Sequence, residues 1–151
     1  MPNIENKNNG AKMQSETISG LVILFYKNTL MNTPKRYTNA WIYCMALAKR
    51  FNEKEHLETL EELYQKSTIG YPMGLIESVC FRDLSLGRSN CRTYNYGYRR
   101  KPVKLGDMIV ALDKSLSIML DIFTDICVKN DIDTNLITPE MYMTQGTGAA
   151  L

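Results

Sequence analysis

The sequence is poor in the residues that do chemistry. It holds one histidine, His56, one tryptophan, Trp41, and four scattered cysteines, Cys44, Cys80, Cys91 and Cys127. No two cysteines form a C-x-x-C pair and none lies near His56, which argues against a zinc site of the usual spacing. Phosphate-cradling glycine loops, the G-x-S-x-G elbow and H-E-x-x-H are all missing. The longest apolar stretch, Leu105 to Val128, is interrupted by Asp107, Asp113, Lys114, Asp121 and Asp125, so no membrane span is expected. The beginning of the chain lacks the apolar core of a secretory signal. The expectation is a soluble, cytoplasmic, non-enzymatic protein with reduced thiols, no metal and no cofactor, Cys91 being the most exposed cysteine.

One further absence is local. Between Asp83 and Asp107 there is no acidic residue, yet six basic ones, Arg88, Arg92, Arg99, Arg100, Lys101 and Lys104, fall there together with Tyr94, Tyr96 and Tyr98. A chain of net charge +2 is therefore net negative everywhere else. Local charge of this kind speaks about a partner.

The rest reads as helices. Residues 1–14, rich in Asn and Lys, are expected to be a flexible arm. Ser15 or Thr17 can cap a helix over Ile18 to Leu30, whose apolar face is Ile18, Leu21, Val22, Leu24 and Phe25. Leu21 to Tyr26 would also suit a buried strand, but no second strand of similar quality follows. Thr33-Pro34 offers a cap and a first-turn proline for a helix running to about Phe51, with Tyr37, Trp41, Cys44, Met45, Ala48 and Phe51 along one side. Asn52 can cap a third helix with Leu57, Leu60, Leu63 and Tyr64 inward and Glu58, Glu61 and Glu62 outward.

After the break at 67–74, a short helix from Leu75 to Leu86 is expected to bury Leu75, Ile76, Val79, Cys80 and Leu84, with Gly87 as its left-handed cap. The last helix, Asp107 to about Lys129, carries Met108, Ile109, Leu112, Leu116, Met119, Leu120, Phe123, Ile126 and Cys127, with Val110, Ile118 and Ile122 on another flank. That is too much apolar surface for one side, so it is the centre of the bundle or an oligomer interface. Residues 131–151 read as a loop and tail. The fold class is all-α: a bundle of four or five helices, residues 15–130, with a basic, tyrosine-rich loop or short hairpin at 88–104 before the long last helix.

His56, on a glutamate-rich helix, is read as a solvated residue among charge pairs rather than a general base. Asp121 and Asp125 share a helix face but lack further ligands for a cation. The functional expectation rests on the basic stretch. Arginine and lysine neutralise phosphates, and tyrosine rings stack on unpaired bases. Nucleic acid, RNA or DNA with single-stranded character, is the expected partner, contacted by Arg88, Arg92, Tyr94, Tyr96, Tyr98, Arg99, Arg100, Lys101 and Lys104, with a second patch at Lys35 and Arg36. The competing expectation is a self-assembling or protein-interaction module, a ring, filament or shell component, that associates through residues 107–129 and sets its basic loop against an acidic surface such as the Glu53–Glu62 helix.

Overall fold

A helix with apolar residues on more than one side has to be covered on more than one side, and the segment Leu105–Lys129 is. The computed structural model describes residues 17–95 and 101–135. Within them the elements are α1 (Ile18–Leu30), α2 (Arg36–Arg50), α3 (Lys54–Lys66), α4 (Met73–Ser85), β1 (Thr93–Tyr94), β2 (Val103–Lys104) and α5 (Leu105–Lys129). The all-α bundle is thus the fold, with a short antiparallel ribbon where the basic loop or hairpin was expected; Thr93 pairs with Lys104 and Tyr94 with Val103. The expected arm at 1–14 and most of the expected tail, 136–151, lie outside the described residues.

Of α5, Leu105, Met108, Leu112, Leu116, Met119, Ile122, Phe123, Ile126 and Cys127 are all buried, leaving Val110 and Val128 as its large exposed apolar residues. The helix is therefore the centre of the bundle. Phe25 of α1 stacks on Phe123 with ring centroids 3.9 Å apart. Alongside, α2 runs in the same direction as α5, since Tyr37 donates its hydroxyl to Asp113 at 2.7 Å and the Cys44 thiol reaches the Met119 carbonyl at 3.6 Å. The opposite direction holds for α3, whose start meets the end of α5 through Glu53 and Lys129, 3.1 Å apart. Trp41 locks α2 to α3, stacking on Tyr64 and donating to the Leu60 carbonyl at 2.8 Å.

The ends of the helices show where local rules hold. Thr17 caps α1, its hydroxyl accepting from the Gly20 amide at 2.9 Å, and α1 is a helix and not a strand. Gly87, at φ +69, ends α4 in the left-handed conformation as expected, with the Arg88 amide bonded to the Asp83 carbonyl at 2.9 Å. Asn52 does something other than expected. At φ +51 it closes α2 in the same manner, the Glu53 amide returning to the Ala48 carbonyl at 3.0 Å, and it does not cap α3. Asparagine tolerates the left-handed region better than most residues, so it serves the helix before it.

The start of α2 departs further. Thr33 gives no side-chain cap, and the helix begins after Lys35. The orphan amides are taken instead by Glu77 of α4. Its carboxylate accepts from the Tyr37 amide at 2.7 Å and the Thr38 amide at 3.2 Å, and from the Thr38 hydroxyl. This turns α4. Ile76, Val79 and Cys80 are buried as expected, but Met73, Glu77 and Asp83 complete the inner face, while Leu75, Phe81 and Leu84 are exposed. Desolvation holds the Glu77 carboxyl above its ordinary value, and the bonds from Thr38 and Tyr37 recover part of that cost.

Replacing Glu77 by alanine leaves the part-buried Tyr37 and Thr38 amides without their acceptor, which should lower the unfolding free energy by about 2 kcal/mol in a urea titration. A variant as stable as the wild type would show that solvent caps α2 equally well.

Candidate nucleic-acid interface

The basic ribbon is built on the start of α5. Lys104, the residue preceding that helix, makes no side-chain cap. The orphan amides of Leu105 and Gly106 donate instead to the backbone carbonyls of Arg92 and Asn90, at 2.8 and 2.9 Å. A Cβ on Gly106 would stand 3.4 Å from Asn90, so the two segments are in close contact there. Val103 is buried in the core. From the other side, the Tyr71 hydroxyl donates to the Lys101 carbonyl at 2.8 Å. Both strands are thereby fastened to the bundle, and the ribbon is the N-terminal cap of the central helix.

On this stem Arg92, Lys101 and Lys104 are exposed and Arg88 is half-buried. Among the described residues no ion pair involves any of the four. Tyr94 is half-buried, packs against the core and lies beneath the Arg92 guanidinium, 5.6 Å from its ring centroid. It braces the ribbon. Tyr96, Tyr98, Arg99 and Arg100 lie outside the described residues.

The second basic corner is differently employed. Lys35 is exposed and its charge acts on Glu77. The Arg36 guanidinium donates to the Thr29 carbonyl at the end of α1 and lies 5.4 Å from the centroid of the Tyr37 ring. Arg36 therefore ties α1 to α2. Through Tyr37 and Asp113 this corner meets α5 about 12 Å along the axis from the ribbon.

Sequence reasoning missed two residues. Ile69 and Tyr71, on the turn between α3 and α4, face Lys101, Pro102 and Val103 across an open cleft of about 410 Å³. The Tyr-Pro-Met run marked only a break in helical pattern, so nothing local tied Tyr71 to the ribbon.

Three of the thiols are buried, and His56 is engaged between helices. Burial pushes Cys80 up to about 12 and Cys127 to about 11, and raises Cys44 as well, so these thiols stay protonated and are poor nucleophiles. His56 is not the solvated residue expected. It is half-buried and its Nε2 lies 2.7 Å from Asp125 Oδ2, joining α3 to α5 beside the Lys129–Glu53 pair. Among the described residues no group of three or more metal-ligating side chains comes together, Asp121 and Asp125 included. No described helix is long and apolar enough to cross a membrane.

Comparison of the chain with protein-family models, curated proteins and solved structures gives no match. The functional reading rests on this geometry.

Replacing Tyr71 by phenylalanine removes the ribbon's side-chain tether, which should cost about 1 kcal/mol and speed amide hydrogen exchange at Val103 and Leu105. Unchanged exchange there would show the backbone bonds suffice. The His56 bond, helped by Lys129, holds the Asp125 carboxyl below its ordinary 3.8 against the opposing effect of desolvation. Its contribution to stability is thus complete above pH 3.8 and is lost as the pH falls through the depressed value. Comparing urea midpoints of wild type and Asp125→Asn should show a gap that closes in acid; a gap constant with pH would count against the pairing.

Proposed function

We propose that the chain is a non-enzymatic nucleic-acid-binding accessory protein whose ribbon contacts phosphates through Arg88, Arg92, Lys101 and Lys104 and, beyond the described residues, Arg99 and Arg100. Tyr94, Tyr96 and Tyr98 supply ring surface for unpaired bases. One observation carries the reading. Exposed cations without acidic partners among the described residues stand on a stem whose backbone is fastened to the core, and a cationic edge on a fixed backbone suits a polyanion. Lys35 adds charge on the same half of the molecule, with Arg36 beside it in a structural role.

A second reading, self-association, is favoured by the exposed apolar residues Phe81, Leu84 and Leu86 at the end of α4 and by the exposed Glu55, Glu58, Glu61 and Glu62 of α3. The apolar surface of α5, residues 107–129, is largely consumed inside the bundle, so α4 is the better candidate contact. Sedimentation as a monomer at high concentration would remove this reading.

The nucleic-acid reading is tested by fluorescence anisotropy of nuclease-treated protein with labelled single-stranded RNA, single-stranded DNA and duplex DNA across a salt series. Changing Arg92, Lys101 and Lys104 together to glutamine should lower the slope of log affinity against log salt by about 2 for a single strand. Affinity and slope that ignore the three changes would overturn the assignment.

A further inference from the structure

The cleft at the root of the ribbon has two fixed walls. On one side stand Lys101, Pro102 and Val103 and on the other Ile69 and Tyr71. The Tyr71 hydroxyl bonds across to the Lys101 carbonyl at 2.8 Å, so the separation of the walls is set. The turn carrying Ile69 is held as well. Thr68 donates its hydroxyl to the Ala111 carbonyl of α5 at 3.2 Å, and the Ile69 amide donates to the Ser67 hydroxyl at 3.2 Å. Gly70, at φ +87, follows in a conformation that other residues avoid.

Among the described residues the lining is apolar apart from Lys101 and the tyrosine hydroxyl, and it contains no carboxylate. Two clefts of similar size elsewhere are of opposite character. The groove on α3, about 480 Å³, is lined by Glu58, Glu61 and Glu62 with Lys66 beside them, and the one beside the start of α1, about 420 Å³, by Asp131 and Asp133. Carboxylates there repel an anion. The ribbon cleft instead joins apolar walls to a cation, with Lys104 next along the strand. A nucleotide has the matching form, a flat base with apolar faces attached to a phosphate. In a duplex the base is stacked and paired, and in a single strand it is free to turn out.

We propose that this cleft holds one unpaired nucleotide of a single strand, its base against Ile69 and Pro102 and its phosphate at Lys101. The proposal rests on the nucleic-acid reading of the ribbon and adds a base-holding wall from outside the basic stretch. The occupant belongs to a strand because the surrounding cations Arg92 and Lys104 need neighbouring phosphates.

The test uses the full chain and three probes: a labelled single strand of about 12 nucleotides, an abasic deoxyribose-phosphate strand of the same length, and unlabelled mononucleotide as competitor. The base-bearing strand should bind roughly fivefold to tenfold tighter than the abasic one. Ile69→Ala should erase that difference while leaving abasic binding and the salt slope intact, and the retained abasic binding shows that the variant is folded. Equal binding of both strands with steep salt dependence would overturn the cleft while leaving the cationic ribbon standing. A preference for bases that survives Ile69→Ala would also overturn it, and displacement by mononucleotide at strand concentrations would overturn its assignment to a strand. Absence of binding to either strand at low salt would defeat the ribbon reading itself.

Discussion

A single buried carboxylate sets the geometry of half the molecule. Glu77 lies inside the bundle and takes the first amides of α2. An ionised group in that place is favoured by the positive end of the helix and by three donors, and disfavoured by loss of water. Its raised carboxyl value records that the second effect is the larger. The arrangement persists because both sides need it: without Glu77 the α2 amides are orphans, and without those amides the carboxylate is a buried charge lacking donors. Glu77 and Asp83 are both buried on α4, and Leu84, at the end of the helix, is exposed. The closing turn at Gly87 then starts the chain toward the ribbon from a fixed point.

The second constraint is the start of α5. A central helix with its N-terminus inside the protein needs acceptors for its first amides, and here they are main-chain carbonyls of Asn90 and Arg92. A carbonyl acceptor does not depend on which side chain accompanies it. The segment that caps α5 is therefore free to carry arginine at 92 and lysine at 101 and 104 at little cost to the fold. Exposed side chains on a backbone tied down in this way can answer to a ligand's requirements alone, which is how an acid-free run coexists with an ordinary core.

How much of this was legible in the sequence follows from the range of each interaction. The helices of α1, α3 and α5 and their inner faces were readable, because apolar periodicity is repeated many times within a segment. Gly87 was readable because a left-handed residue satisfies carbonyls of its own helix. Thr33 and Asn52 misled for the reason that a local donor or acceptor is only one competitor for an orphan group. Glu77, distant in sequence, won the first contest, and the preceding helix claimed Asn52. His56 was misplaced likewise, its partner Asp125 lying on another helix. Of the candidate interface the charges were plain, since composition shows them. Its shape was not, because Ile69 and Tyr71 reach Lys101, Pro102 and Val103 only through the packing of two separate turns.

The same distinction separates cations that hold the fold from cations that are free to act. Arg36 and Lys129 look no different in sequence from Lys101, yet Arg36 closes α1 against α2, and Lys129 sits with Glu53 and Asp125. Removing either disturbs packing, so an effect of such a change on binding would be ambiguous. Arg92, Lys101 and Lys104 have no acidic partner among the described residues and emerge from a backbone secured by other atoms. Mutual repulsion among them is a small standing cost in the free protein, screened by salt. Under the proposed function a polyanion would relieve it on binding, and the ribbon, rather than the more numerous charges on the helices, would be the place where ligand electrostatics act with least interference from stability.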